Sequence, residues 1–188
     1  MKIALDLDGV CYEWDKTARY MLRRRLTQQR RPIPTELFAE SKHWNTIQEA
    51  VEPDDWAWLW SEGVELGLFR YGHCVRGSIE GVQELARIAE VHLLTARPTS
   101  LKARRDTNAW VNFMFDMADI RGLHFEEVKT KFPANIYIDD APGTVRSLAT
   151  QEKRVILFRR PWNDEVPTSI GVHVHNWPGV VDTVKSFL

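Results

Sequence analysis

Short apolar runs alternate with amphipathic stretches along most of the chain. Residues 3–7 read as a buried strand containing Asp6, which delivers Asp6 and Asp8 to its C-terminal end. Residues 15–29 read as a helix. Its latter part is basic, with Arg23, Arg24, Arg25, Arg30 and Arg31. Positive charge is favourable near a helix C-terminus, so a solvated face is one reading and a contact with an anionic ligand the other. Pro32 and Pro34 interrupt the pattern, and residues 35–75 show no clear strand–helix–strand unit. The segment 52–63, EPDDWAWLWSEG, opens with Pro53 and two acids, as helices do. The alternation of Trp56, Trp58 and Trp60 also fits a strand. The expectation is a short helix within a small, largely helical insertion. Gly63, Gly67, Gly72 and Gly77 mark turns as the chain returns.

After Gly77 the rhythm is regular. Residues 78–89 predict a helix with Ile79, Val82, Leu85, Ala86 and Ala89 facing inward. A strand over 91–94 ends at Thr95, and a helix covers 101–113. A short strand is expected within 115–120, and another over 135–138 ends at Asp139. Pro142 suits the first turn of a helix reaching Thr150. Strands over 154–158 and 172–174 precede a terminal helix over 180–188. Repeated βα units with apolar strands predict an α/β fold, a mostly parallel sheet covered on both faces.

At 188 residues the chain suits one core domain with a modest insertion, and 44% hydrophobic content argues against a mainly disordered protein. A formal charge of -1 does not point to a nucleic-acid coat or a polybasic membrane binder. Cys11 and Cys74 have no CxxC spacing, and the six histidines form no zinc motif. The opening MKIALDLDGV carries two acids, no signal peptide or membrane span is evident, and the cytoplasm is the expected location. Eight tryptophans are an unusual number.

Open α/β sheets bind ligands beyond the C-terminal ends of their strands, near the switch in strand order. Asp6, Thr95 and Asp139 each follow an apolar strand candidate, so three polar endpoints can converge there. Asp6 and Asp8 share a side only if the strand continues. Gly9 predicts a turn instead, leaving the two acids to different directions. Taken alone, DxDG is also compatible with a simple turn or cap.

In combination these segments resemble the haloacid dehalogenase superfamily of phosphatases. DLDGV at 6–10 matches its nucleophile motif, LLTAR at 93–97 the second motif, VKTK at 128–131 the basic third and IYIDDAP at 136–142 the acidic fourth. The chain further resembles the 5'(3')-deoxyribonucleotidase-like branch. Trp14 matches an aromatic position after DxDGV, and Lys129-Thr130 stands about ten residues before the paired acids. The segment FRRPWN at 158–163 resembles bacterial and phage members, whereas TAR stands where characterised nucleotidases often have TSP.

The resemblance implies a Rossmannoid three-layer core (1–13 and 77–188) with a helical cap (14–76) inserted after strand 1. It implies magnesium-dependent hydrolysis of nucleoside monophosphates, plausibly 5'(3')-deoxyribonucleotides, through an aspartyl-phosphate. A broad small-molecule phosphatase and an inactive binding module are the alternatives. Asp6 is the implied nucleophile and Asp8 the acid and base. Thr95 and Lys129 are the implied phosphate-binding groups, Thr95 by donating to a phosphoryl oxygen and Lys129 by balancing charge, with Lys131 competing for the latter role. Mg2+ is the implied cofactor, held by Asp6, the Asp8 carbonyl and at least one of Asp139 and Asp140. Trp14, Trp60 and Arg97 are candidates for substrate recognition, with Trp56 an alternative for the aromatic wall. Each of these tryptophans has cap packing as a competing role, and Arg97 a surface ion pair. The expected partner is a small phosphate monoester, with no polymeric nucleic acid, no membrane, and a homodimer left open.

Overall fold

A computed structural model describes all of residues 1–188. Six strands form one sheet: β1 (Lys2–Leu5), β2 (Glu90–Thr95), β3 (Ile120–Phe125), β4 (Ile136–Asp139), β5 (Arg154–Phe158) and β6 (Val172–Val174). Every pairing is parallel, and the order is β3-β2-β1-β4-β5-β6. Leu5 of central β1 lies opposite Leu93 on one side and Ile138 on the other. Strand order reverses at β1, so the crevice beyond its C-terminal end is the natural ligand position.

Successive strand residues face opposite sides, and the sequence supplies apolar groups to both. Ile3, Leu5, Leu93, Ile138 and Ile156 pack with Val82 and Leu85 of α5 (Ser78–Ile88), Trp110 of α6 (Leu101–Met114) and Val180 and Val184 of α8 (Trp177–Ser186). On the opposite face Ala4, Leu94, Tyr137, Val155 and Leu157 pack with Val145 and Leu148 of α7 (Pro142–Ala149). The result is the expected three-layer α/β core.

Between β1 and α5 lies the helical insertion: α1 (Trp14–Gln28), α2 (Thr46–Glu49), α3 (Pro53–Trp60), α4 (Glu62–Glu65) and a 3-10 turn at Thr35–Phe38. It has a small core of its own, including Ala18, Leu22, Leu37, Ile47, Leu59 and Leu68. Fully buried Asp55 on α3 receives Arg25 at 2.7 Å and Arg31 at 2.8 Å. Part of the basic run at the end of α1 is thereby committed to an internal acid. Because 53–60 is helical here, Trp56 and Trp60 share one face, four residues apart. Trp58 instead lies under the Arg25 guanidinium at 4.7 Å, and its Nε1 donates to Glu62 at 2.9 Å.

Tyr12 ties the two crossings between core and insertion. Its hydroxyl donates to the Leu68 carbonyl and accepts the Gly72 N–H at 2.9 Å, and Trp110 Nε1 donates to the Gly72 carbonyl at 2.8 Å.

Two boundaries differ from the sequence expectation by three residues or more. The third strand begins at Ile120 rather than ending there, and runs through RGLHF. The last helix starts at Trp177 instead of residue 180, because the Asn176 side chain caps it by accepting Gly179 N–H at 2.9 Å, with Pro178 in the first turn. No helix is long and apolar enough to cross a membrane.

Candidate active site

The strand β1 ends one residue before Asp6, but the ladder continues through Asp6 N–H to the Ile138 carbonyl at 2.9 Å. The chain then turns: the N–H groups of Val10, Cys11 and Tyr12 all reach the Leu7 carbonyl, and Gly9 has φ +78°. This turn separates the carboxylates of Asp6 and Asp8. Asp6 stays with the sheet, where Oδ1 accepts Leu7 N–H at 2.7 Å and lies 2.8 Å from Lys129 Nζ. Asp8 swings to Arg97, whose Nη2 is 2.7 Å from its Oδ1.

Lys129, on a 3-10 turn before β4, is buried between two acids, since its Nζ also donates to Asp139 Oδ2 at 2.7 Å. The second oxygen of Asp139 accepts Ala141 N–H at 2.9 Å, so both oxygens have protein partners. Asp140 differs. Trp162 Nε1 donates to its Oδ2 at 2.9 Å, while Oδ1 has no protein donor.

Carboxylate oxygens of Asp6, Asp139 and Asp140 lie within 4.8 Å of one another. Three buried acids facing one lysine are poorly balanced. Burial pushes the Asp6 carboxyl up to about 7, with Lys129 opposing the rise and Asp139 and Asp8 adding to it. Burial also raises Asp140, reinforced by the charges of Asp6 and Asp139. The donor set is all oxygen, anionic and short of positive charge. It therefore fits a hard divalent cation such as magnesium, which prefers carboxylates, carbonyls and water.

The cluster opens into a cavity of about 300 Å³ whose walls include Asp6, Asp8, Arg97, Lys129 and Asp140. Trp14, Trp44, Trp56, Trp60 and Trp162 also line it, five of the eight tryptophans. Trp14 and Trp60 are stacked at 5.7 Å with 21° between their planes, and Trp56 meets both edge-on. These rings thus pack on one another and wall the cavity at once. Thr95 is fully buried at the end of β2, where Oγ1 accepts Arg97 N–H at 3.3 Å, and it is not part of the wall. Lys131 makes no ion pair with the acids; Lys129 does.

A family model described as "5' nucleotidase, deoxy (Pyrimidine), cytosolic type C protein" matches residues 1–187. The chain belongs to this family. Solved structures of haloacid dehalogenase-like hydrolases share the fold. The protein SP0104 from Streptococcus pneumoniae is 11% identical, with a TM-score of 0.65 covering 100% of this chain and 98% of that one. The putative hydrolase YfnB from Bacillus subtilis, bound to magnesium, is 11% identical with a TM-score of 0.65 and 98% coverage of each. A predicted phosphoglycolate phosphatase from Haemophilus somnus is 9% identical, with a TM-score of 0.61 over 99% of this chain and 97% of that one. No curated protein matches the chain by sequence. Together with the acid cluster, family membership makes the chain a phosphoric monoester hydrolase acting on a small phosphate monoester.

This nucleotidase-family site contains groups that the sequence reading left out. Ser41, Trp44, Asn45 and Gln48 bring a second cap segment to the wall. The segment 158–163 adds Trp162 to the wall. Besides the Trp162 bond, Asn163 donates to the main-chain carbonyls of Asp140 and Phe158, and Arg160 Nε donates to the Gly9 carbonyl at 2.7 Å. The FRRPWN string was a visible signal, but nothing in it says which acid the indole meets.

Gly9 is required by both its backbone and its surroundings. A Cβ there would lie 1.9 Å from Asp140 Oδ2, at a φ that side chains rarely adopt. Gly9→Ala should lower stability by about 1–3 kcal/mol and displace Asp140. Thermal unfolding and a magnesium titration of the variant should show both a lower midpoint and weaker cation binding.

Proposed function

We propose that the enzyme hydrolyses small phosphate monoesters through an aspartyl-phosphate on Asp6. The observation that carries this reading is the Asp6–Lys129–Asp139/Asp140 cluster, opening on a cavity with Asp8 in its wall. An Asp6 oxygen attacks phosphorus while the bond to the leaving alkoxide breaks, and Asp8 gives that oxygen its proton. Water then attacks the aspartyl-phosphate, with Asp8 taking up a proton, and Asp6 is released. Lys129 balances charge on Asp6, and Thr95 holds the Arg97 N–H through its Oγ1. Asp6, Asp140 and the Asp8 carbonyl would hold magnesium; Asp139 is committed to Lys129 and the Ala141 N–H. When bound, the cation supplies charge neutralisation and orientation for in-line transfer.

The broad substrate class is favoured because fold relatives bear names as different as phosphoglycolate phosphatase and heptose 1,7-bisphosphate phosphatase. A narrower reading, a nucleoside monophosphate such as a deoxyribonucleotide, draws support from the family and from the Trp14–Trp60 wall. Aromatic faces accept any base by stacking, so such a wall would suit a nucleotide without naming its base.

A magnesium-dependent phosphate-release screen decides between them, using ribo- and deoxyribonucleotides, sugar phosphates and an aryl phosphate. In Trp14→Ala, loss of stacking should cost about 1–3 kcal/mol of kcat/KM on nucleotides and little on an ester without a base. Equal losses on both, in a variant folded by circular dichroism, would return Trp14 to a packing role.

A further inference from the structure

The second motif carries an arginine, Arg97, whose contacts are unlike those of a substrate-binding cation. Its side chain is 1% exposed. Nε lies 3.1 and 3.0 Å from the two oxygens of Asp8, and Nη2 lies 2.7 Å from Oδ1. The other arm, Nη1, donates to Thr107 Oγ1 of α6 at 3.1 Å. The guanidinium is packed over the Tyr12 ring at 4.4 Å and the Phe69 ring at 4.6 Å. Tyr12 lies where the chain leaves the core, and Phe69 belongs to the core of the insertion.

We propose that Arg97 is a positioning residue for Asp8, clamping its carboxylate at the angle from which it serves the leaving-group oxygen. This rests on Asp8 acting as proton donor in the function proposed above. A carboxylate on a short side chain turns broadly about its last torsion, and small misplacement of a reacting group is expensive in rate. A planar fork anchored by Thr107 and held over two rings removes that freedom, which a lysine's single rotating ammonium does not. The pair also places a cation on Asp8 beside a cluster in which Lys129 pairs with Asp6 and Asp139. Because Tyr12 and Phe69 flank the clamp, the orientation of Asp8 is tied to the seating of the insertion on the core.

The test separates positioning from packing by the leaving group. The full chain with magnesium is assayed on glycerol 3-phosphate, whose alkoxide needs a proton, and on 4-nitrophenyl phosphate, whose phenolate departs without one. The parameter is kcat/KM, which reports events up to departure of the leaving group. Arg97→Met should reduce the value for the alkyl ester by about 100-fold, the lower end of the range for acid–base catalysis, and that for the aryl ester by less than about threefold. Asp8→Asn should show the same selectivity, and the double variant should lose no more than Asp8→Asn alone. Arg97→Lys should recover only part of the loss. Equal losses on both esters, a rise in KM alone, or multiplying losses in the double variant would overturn the proposal. If Arg97→Met fails to fold by circular dichroism, Arg97→Lys decides by the same pair of esters, and equal losses count against the clamp. If Asp8→Asn itself shows no selectivity, the role of Asp8 falls and the clamp with it; if only Arg97 variants lack it, the clamp alone falls.

Discussion

Asp6→Asn should abolish turnover while leaving a folded protein that is more stable than the parent at neutral pH without divalent cations. Removal of a nucleophile of this kind costs on the order of 10⁴-fold or more, and rapid-quench experiments should trap no phospho-enzyme. The stability gain follows from burial, which raises the Asp6 carboxyl to about 7 despite Lys129, well above the ordinary carboxylate range. Between those values the native state holds a proton that the unfolded chain has released. Stability from this group therefore falls as pH rises from about 4 to about 7. The amide has no such titration. Urea unfolding in chelator at pH 5 and pH 7.5 should show the gap between variant and parent widening with pH, and magnesium should close it by stabilising only the parent. A correctly folded, fully active Asp6→Asn enzyme would remove Asp6 as nucleophile.

Lys129→Met should produce the largest loss of stability of any single change at the site. Nζ sits 2.8 Å from Asp6 and 2.7 Å from Asp139, with all three side chains buried. Breaking a buried pair from one side leaves uncompensated charge and costs about 3–5 kcal/mol. The charges of Asp139 and Asp6 raise the Lys129 pKa against the opposing effect of burial. The lysine is thus fully charged throughout the pH range of interest, and its stabilisation would be lost only in strong alkali. Any pH dependence of the variant at lower pH comes from its orphaned acids. Denaturation midpoints should show a smaller deficit at pH 5, where Asp6 is protonated, than at pH 7.5. Magnesium should restore part of the deficit at pH 7.5. An unchanged midpoint in chelator at neutral pH would mean that the acids are neutralised by other means.

The parts of this molecule that could be read from its sequence are those with a local signature. The strands β1, β4 and β5 are continuous apolar runs ending at turns. Gly9, by allowing a positive φ, announces that DLDGV bends. β3 was displaced in the reading because it is a partly exposed edge strand, and Arg121, Gly122 and His124 give it no apolar run. The triple tryptophan was ambiguous by period alone; Pro53 and the acids after it pointed to the helix that forms. Trp44 and Trp162 reach the cavity from segments far apart in sequence, so no spacing rule connects them to Asp140. Arg97 lay inside a motif, yet its choice of Asp8 depends on how the Gly9 turn aims that side chain.

The central place of β1 also dictates an order of assembly. Lys2 pairs with Glu90 and Ile3 with Ile136, so β1 is made well before either of its neighbours. Closure entropy grows only by about 0.6 kcal/mol per doubling of loop length, so the insertion between β1 and β2 is well tolerated at equilibrium. Kinetically, such non-local parallel pairing is slow. The insertion draws its core mainly from Ala18 to Phe69 and can collapse while β2 is still unmade. Asp6, Lys129 and Asp140 cannot meet until the chain has been made past residue 140. A nascent chain halted before β4 carries the nucleophile but no enzyme, with Ile3 and Leu5 exposed to aggregation until the fourth strand arrives.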